Sequence, residues 1–254
     1  MTGSQLSHIA MEIGVTLLSN GAETYRVEES MHRICMAMGA LSAEIFVVPT
    51  TIIMGMTFAN GDHMTRTHRI HTRGINLMKV EFINSLSRKV CYEEMSYEEV
   101  LTELHRINST PPYPYFLQVL ALGFVAQMFT LFFGGNFQAS CIGFVIGVGI
   151  KVQTDVMARF ETNIFFINIV GGFIAATVAL AASGLGLTSQ MDAIIIGSIM
   201  TLVPGLAITN SIRDIIAGDY LSGLTKGIEA LLIGTGIATG VGIPLSLLSA
   251  FVRV

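Results

Sequence analysis

Apolar residues at helical spacing mark two helices at the start of the chain. The first apolar face comprises Leu6, Ile9, Ala10, Ile13 and Leu17. The second comprises Val27, Met31, Ile34, Cys35 and Met38. Spacings of three and four residues place each set on one side of an α-helix. Asn20-Gly21 and Gly39 follow the two sets and favour helix ends, so the sequence predicts a helix pair.

A different pattern occupies residues 45–70. Ile45 to Val48 is a β-rich run that Pro49 closes, and apolar residues then alternate with others from Ile52 to Phe58. Asn60-Gly61 is typical of a tight hairpin turn, so the chain should return as a strand over 63–70. Helical spacing resumes over 75–86 and again over 100–107. The predicted order ααβββαα describes a small α+β domain.

The rest of the chain consists of long apolar stretches. Five can be distinguished, at 115–134, 139–152, 162–183, 191–208 and 226–251. A helix needs about 20 apolar residues to cross the ~30 Å hydrocarbon layer of a membrane. We therefore predict five transmembrane helices, the second short and the fifth long. Gly143-x-x-x-Gly147 and Gly236-x-x-x-Gly240 favour close helix packing, although glycine is common in membrane helices in any case.

Composition divides the chain at the same place. Residues 1–113 contain 9 of the 14 Lys/Arg, 12 of the 18 Asp/Glu and all 6 His, whereas residues 114–254 contain 11 charged side chains and 19 of the 26 Gly. A soluble domain has about 25% charged residues, far more than the second part. Pro111-Pro112-Tyr113-Pro114 lies at the boundary. We predict a soluble α+β domain over 1–113 and an α-helical membrane domain over 114–254.

The distribution of basic residues predicts the orientation. In the membrane part they fall in two alternate loops, which contain Lys151 with Arg159 and Arg213 with Lys226. The intervening loops near 135–138 and 184–190 have neither Lys nor Arg. Basic loops face the cytoplasm, and no signal peptide is visible at the N-terminus. We expect a multi-pass membrane protein with a cytoplasmic N-terminal domain and Arg253 on the opposite side.

The fourth apolar stretch is interrupted by Pro204-Gly205, and polar residues follow it at Asn210, Arg213 and Asp214. Proline removes a backbone donor and glycine loosens a helix, so a break exposes backbone polar groups. Within a membrane such groups survive only beside protein or a water-filled cavity. Arg213 offers a planar fork that suits a carboxylate, and Asp214 could orient it or take a proton. The alternative is an ordinary interfacial ion pair after a helix end.

A second polar group, Lys151-Val-Gln-Thr-Asp155, lies at the end of the short second stretch. We favour a cytoplasmic loop for it, and the alternative is a helix that continues into a polar cavity. Lys151 and Asp155 join Pro204, Gly205, Asn210, Arg213 and Asp214 as the predicted substrate and transport residues. Intramembrane ionisable groups are functional candidates by default.

Several kinds of chemistry lack support in the sequence. His63, His68 and His71 have no metal-ligand spacing, and we interpret them as surface residues. Cys35, Cys91 and Cys141 are far apart, which indicates free thiols. The sequence lacks the glycine-lysine phosphate-binding motif that would indicate ATP use. It also lacks a basic stripe that would indicate nucleic-acid binding. We predict neither a metal nor a cofactor.

Two motifs resemble the signatures of the threonine/serine exporter (ThrE) family. The first, Gly21-Ala-Glu-Thr-Tyr-Arg-Val-Glu, contains Gly21, Glu23, Arg26 and Glu28. The second runs from Pro204-Gly205 through Thr209-Asn-Ser-Ile-Arg-Asp214 to Gly218-Asp219 and Ser222-Gly223. The resemblance covers nearly the whole chain and is strongest to the large subunit of the split, YjjP-like form.

The resemblance implies a partner and a class of solute. Large subunits of the split form work with a separate small membrane subunit of the YjjB type, and we expect a homo-oligomer of the hetero-complex. Threonine, serine and succinate-like dicarboxylates are the implied solutes, and all carry a carboxylate. An odd number of spans without an internal repeat also favours an incomplete transporter. The alternatives are a membrane-tethered enzyme and a sensor or scaffold that acts through the soluble domain.

Overall fold

A computed structural model describes residues 2–252 of the chain. It divides into two compact units. The first, here called the N-terminal unit, comprises Met1–Pro111 together with Thr209–Gly227. The second, here called the membrane unit, comprises Pro112–Ile208 together with Ile228–Val254. The segment 209–227, which the sequence pattern assigns to the membrane domain, therefore packs with the N-terminal domain.

The N-terminal unit has the predicted order of helices and strands. Its elements are α1 (Gly3–Ser19), α2 (Thr24–Ala37), β1 (Ser42–Val48), β2 (Thr51–Thr57), β3 (His63–Arg69), α3 (Leu77–Tyr92) and α4 (Tyr97–Asn108). Helix α1 begins with a capping box. The Thr2 hydroxyl accepts from the amide of Gln5 at 3.3 Å, and the Thr2 amide donates to Gln5 Oε1 at 2.9 Å. These bonds satisfy two amide groups that a helix start otherwise leaves without partners.

The three strands form an antiparallel sheet in the order β1-β2-β3. Ile52, Met54 and Met56 of β2 are buried, as the alternating pattern predicts. The β2–β3 hairpin turns at Gly61, whose φ of 88° is left-handed and favours glycine. The buried strand face packs with α1 and α2 in one apolar core, to which α3 and α4 also contribute. The predicted small α+β region is thus confirmed.

The membrane unit contains helices of different lengths. They are α5 (Tyr115–Phe132), α6 (Phe137–Arg159), α7 (Ile164–Gly184), α8 (Met191–Ile199), α9 (Gly205–Ile216) and α10 (Tyr220–Val252), of which α9 and α10 also supply the 209–227 segment of the N-terminal unit. Four helices are long and apolar enough to cross a membrane within the described residues, namely α5, α6, α7 and α10. Only 17% of the α5 residues are buried inside the chain. Such outward apolar surface is typical of a membrane helix.

Five continuous spanning helices are therefore not confirmed. The fourth apolar stretch forms the nine-residue helix α8, followed by a non-helical segment over residues 200–204 and then by α9. At 1.5 Å per residue α8 is roughly 14 Å long, about half of the hydrocarbon layer. The sequence identified the interruption but not its extent, since the helix ends before Pro204. Arg253 lies outside the described residues.

The glycine motifs mark close helix contacts. A Cβ atom added to Gly147 of α6 would lie 2.7 Å from the Leu122 carbonyl oxygen, and one added to Gly236 of α10 would lie 2.9 Å from the Phe165 carbonyl oxygen. Real Cβ atoms essentially never approach so closely. These glycines are packing residues of the membrane unit, as the small-residue spacing predicts.

Candidate functional site

Polar side chains converge where the segment 209–227 packs with the N-terminal domain. They come from the start of α2, from α9 and from the first turns of α10. The set, here called the α2–α9–α10 cluster, comprises Glu23, Thr24, Asn210, Arg213, Asp214, Ser222 and Lys226. All of these residues belong to the N-terminal unit. Sequence positions nearly 200 residues apart thus form one site.

A buried ion pair lies at the centre of this cluster. Lys226 Nζ is 2.7 Å from Asp214 Oδ2 and donates a second hydrogen bond to Thr24 Oγ1 at 2.9 Å. The Thr24 hydroxyl in turn donates to Asp214 Oδ2 at 3.1 Å. Asp214 is fully buried and Lys226 is 7% exposed. Burying two charges is costly unless each is paired and hydrogen-bonded, and the threonine hydroxyl links the two groups.

This ion pair leaves one carboxylate oxygen unused. Asp214 Oδ1 is buried and has no hydrogen-bond partner within the described residues. An ionised carboxylate can accept several hydrogen bonds, so an unsatisfied oxygen at this depth is unusual. The site can therefore accept a further donor group or a proton.

A second, more exposed ion pair lies beside the buried one. Arg213 Nη1 donates to Glu23 Oε1, while Glu23 Oε2 is 2.6 Å from Arg26 Nε. One carboxylate thus contacts two guanidinium groups. The Arg213 side chain is 46% exposed, so a solute can reach it. The sequence hypothesis that Asp214 orients Arg213 is wrong, because Glu23 contacts Arg213 and Lys226 contacts Asp214.

Gly21 and Asn210 complete the exposed part. Asn210 Nδ2 donates to the Gly21 carbonyl oxygen at 3.5 Å, which is a long hydrogen bond. Gly21 has a φ of 92°, a left-handed conformation that strains other residues. A glycine here lets the chain leave α1 and begin α2, which brings Glu23 and Thr24 to the site.

Glu28 contacts the sheet rather than the solvent. Its Oε1 accepts from the Val47 amide at 2.8 Å, and the Ser222 hydroxyl donates to the Val47 carbonyl oxygen at 3.4 Å. Burial raises the pKa of Glu28 above 4.5, the hydrogen bond from Val47 opposes this rise, and the negative charges of Asp219 and Asp214 add to it. Glu28 is therefore a candidate proton-binding group beside the ion pairs.

Lys151 and Asp155 lie within a helix. Helix α6 continues to Arg159, so the favoured interpretation of this segment as a loop is wrong. Lys151 Nζ is 2.8 Å from Asp155 Oδ1, one helical turn away. Gln153 Oε1 and Asp155 Oδ2 are buried without a hydrogen-bond partner within residues 2–252. The helix continues, as in the alternative that the sequence left open, while the polar cavity of that alternative stays a prediction.

Pro204 and Gly205 lie at the start of α9. Residues 200–204 are not helical, and Gly205 is the first residue of α9. Proline is favoured next to a helix start because it lacks the amide hydrogen that would otherwise be without a partner there. The two residues separate α8 from α9.

Sequence reasoning missed the partners that hold the site together. Lys226 was used only as one of the basic loop residues that predict which side of the membrane a loop faces. Thr24, Asp219 and Ser222 lie within the two family motifs, but no role was predicted for them. One local signal existed, because Ser222 and Lys226 are one turn apart on the same face of α10. Asp219 caps α10 by accepting from the Ser222 amide at 3.3 Å. No group of three or more potential metal ligands occurs among residues 2–252.

Comparison with known proteins identifies the family. The ThrE family model, described as "Putative threonine/serine exporter", matches residues 8–248. This match covers most of the chain and includes both the α2 motif and the α9–α10 motif. The chain belongs to the ThrE family. The resemblance inferred from those two motifs is thereby confirmed.

Two curated relatives show how this ThrE chain compares in length. It is 26% identical over 250 residues to the "Threonine/serine exporter" of Corynebacterium glutamicum, covering 94% of the chain but 50% of the relative. It is 25% identical over 243 residues to the "Probable succinate transporter subunit YjjP" of Escherichia coli K12, covering 95% of the chain and 93% of the relative. No solved structure matches the chain.

These comparisons decide the broad class of the protein. The relatives are named as exporters or transporters, which confirms that the chain is a transport protein and not an enzyme. Together with the apolar helices, they make it a multi-pass membrane protein. The chain spans about half of the C. glutamicum relative and nearly all of the E. coli relative.

Proposed function

We propose that this protein is the large subunit of a bacterial inner-membrane exporter for small carboxylate-bearing solutes. The observation that carries the proposal is the Glu23–Arg213 pair, in which the Arg213 side chain is 46% exposed, beside the buried Asp214–Lys226 pair. A guanidinium group binds a carboxylate through two parallel hydrogen bonds. The solute carboxylate replaces Glu23 on Arg213, and Asn210, one helical turn before Arg213 on α9, contributes an amide.

The same pair accommodates both solute types that the relatives' names suggest. For threonine or serine, Arg213 binds the carboxylate and Glu23 binds the ammonium group. For a succinate-like dicarboxylate, Arg213 and Arg26 each bind one carboxylate, and Glu23 is displaced. Protonation of Glu28 would reduce the negative charge near the site and favour an anionic solute. The raised pKa of Glu28 supports this coupling.

The membrane unit supplies the path. Lys151, Asp155 and Gln153 place polar groups on α6, and two of their oxygen atoms are buried without partners. Between α8 and α9 the regular helical hydrogen bonding stops, and the amides of Thr201 and Leu202 donate in tight turns to the Ser198 and Ile199 carbonyl oxygens. A break of this kind within a membrane favours a protein-lined or wet environment. Pro204 and Gly205 maintain that interruption and so serve transport indirectly.

Five crossings remain part of the proposal. If α5, α6 and α7 each cross once, the chain reaches the side opposite the N-terminal domain after α7. Segment 209–227 belongs to the N-terminal unit, and this supports the proposal that residues 185–208 cross back. Helix α8 and the 200–204 segment then form a broken span. The absence of basic residues from the loops near 135–138 and 184–190 favours a cytoplasmic N-terminal domain.

A second subunit completes the exporter in this proposal. The E. coli relative of matching length is named a subunit, whereas the C. glutamicum exporter is about twice as long as the aligned region. A small membrane subunit of the YjjB type would supply the missing spans, and several such pairs would form the oligomer. Transport sites usually form between two related halves of this kind.

Efflux from cells tests the proposal. The chain is expressed alone, with a small subunit of the YjjB type, and with that subunit plus the Arg213→Lys variant, and extracellular threonine, serine and succinate are measured. Efflux of at least one solute should require both wild-type subunits. If no solute leaves the cells faster with both subunits than with neither, the proposal fails. Equal efflux by the large subunit alone would exclude the two-subunit form.

A further inference from the structure

A groove in the N-terminal unit shares one residue, Arg26, with the proposed transport site, and its other lining residues have no role there. It lies between α2 and α3 and has a volume of about 810 Å³. Arg26 and Arg33 line it from α2, and Arg88 lines it from α3. Ser30, Asn84 and Ser87 contribute neutral hydrogen-bonding groups to the same walls. The groove is large enough for a small organic molecule.

The charge of this α2–α3 groove is strongly biased. Three arginines line it against a single carboxylate, Glu29, which is 2.6 Å from Arg33 Nη2. The lining therefore carries two positive charges more than negative ones, with His32 also present. Guanidinium groups recognise phosphate and carboxylate oxygens through their planar fork. A ligand with at least two negative charges would balance the excess.

Arg26 connects the groove to the transport residues. Its Nε lies 2.6 Å from Glu23 Oε2, and the other oxygen of Glu23 accepts from Arg213. A groove anion that attracts Arg26 therefore competes with Glu23. When Arg26 turns toward the anion, Glu23 is left with Arg213 alone, and the strength of that pair changes. Such coupling between two sites must act equally in both directions.

We propose that the α2–α3 groove is a regulatory site for a small polyanion, bearing phosphate or carboxylate groups, that reaches Arg213 through Arg26 and Glu23. The binding site is inferred from the groove residues alone. Only its effect on transport rests on the proposed function. A zwitterion such as threonine has no net charge and does not satisfy this site.

Binding to the purified full chain in an uncharged detergent at low salt tests the site. Pyrophosphate and succinate serve as phosphate and carboxylate probes, with threonine for comparison, and calorimetry gives Kd. At least one of the two anions should bind, and the double variant Arg33→Gln/Arg88→Gln should weaken it at least about tenfold, or about 1.4 kcal/mol. Arg106→Gln, which removes a similar exposed Arg–Glu pair on α4, should leave Kd unchanged.

Each result of this experiment decides for or against the groove. Stronger binding of pyrophosphate or of succinate assigns the phosphate or the carboxylate chemistry. If Arg213→Lys abolishes binding and Arg33→Gln/Arg88→Gln leaves it intact, the anion binds at the transport site and the proposal is overturned. Absence of binding by both anions would overturn it as well.

The link through Glu23 has its own binding test, which does not require transport. Glu23→Gln removes the competing carboxylate from Arg26, so the groove anion should bind more tightly by roughly threefold or more, since a single partly exposed ion pair is involved. Glu103→Gln removes the partner of Arg106 on α4 and serves as the matched control. Unchanged or weaker binding to Glu23→Gln would refute the link while leaving the site itself in place.

Discussion

The carboxylate of Asp214 lies 2.7 Å from the ammonium group of Lys226, and both groups are buried. Asp214 is on α9 and Lys226 is on α10, so the pair ties together the two helices that return to the N-terminal domain. Thr24 adds α2 to the same contact. The pair therefore holds together the three helices that form the proposed transport site.

Removal of one member of this pair should destabilise the protein strongly. Asp214→Leu or Lys226→Met leaves a buried charge unpaired, which costs about 3–5 kcal/mol. The double variant Asp214→Leu/Lys226→Met should cost less than the sum of the two, because no buried charge remains. Unfolding of the full chain in detergent measures the three free energies. Additive effects would show that the two groups do not interact.

Arg213→Lys should reduce efflux without affecting the fold. Lysine keeps the positive charge but cannot offer the planar two-bond fork to a carboxylate. Loss of about one charged hydrogen bond, roughly 1.5–3 kcal/mol, corresponds to a fall in efflux of about tenfold or more. Efflux assays are combined with measurements of membrane insertion and partner binding, both expected to be normal. Arg106→Lys on α4 is the matched control, and normal efflux by Arg213→Lys would contradict the carboxylate clamp.

Pro204→Ala combined with Gly205→Ala should impair transport. Alanine favours helix, so α9 can extend backward through residues 200–204 toward α8. A continuous helix would remove the interruption between α8 and α9 from the proposed path. Initial efflux rates measure the effect. Pro244→Ala is the control, since Pro244 lies inside α10 where the helix already continues. Equal efflux rates for Pro204→Ala/Gly205→Ala and for Pro244→Ala would mean that the break serves only the fold.

Two glycines on the same helix should respond oppositely to alanine. At Gly147 of α6 a Cβ atom would lie 2.7 Å from both the Leu122 carbonyl oxygen and Ala126 Cβ, whereas at Gly149 nothing lies within 4 Å. Gly147→Ala should destabilise the membrane unit by about 1–3 kcal/mol through overpacking. Gly149→Ala should be neutral or slightly stabilising, since alanine is the better helix former. Thermal unfolding in detergent compares the two, and equal midpoints would refute the packing argument.

Glu28 should make stability depend on pH. Burial raises its pKa in the folded protein above 4.5, so the folded state binds this proton more tightly than the unfolded chain. The resulting stabilisation is complete below about pH 4.5 and is lost as the pH rises through the raised pKa. Glu28→Gln should therefore lose less stability than the wild type over that interval. Melting midpoints across the interval measure this, and Glu29→Gln on the exposed face of α2 is the control. Parallel curves for wild type and Glu28→Gln would contradict it.

Local patterns predicted most of the secondary structure. The helical spacing of α1 and α2 and the alternation in β2 depend on which side of each element is buried, and that side is encoded in the order of the residues. Asn60-Gly61 fixed the hairpin because few residues adopt its backbone conformation. The Lys151 segment was misassigned because a polar group at the end of an apolar run is typical of both a loop and a helix that continues.

The sequence by itself determined that this is a helical membrane protein with an α+β domain, because hydrophobic length and periodicity are local properties. Two motifs also marked Glu23, Arg26, Asn210 and Arg213 for attention. Only the tertiary structure decided which charges meet. Neighbouring residues on a helix point about 100° apart, so Arg213 and Asp214 have different partners. Glu23 and Lys226 became those partners because the chain returns to its own N-terminal domain, a long-range contact that no local pattern contains.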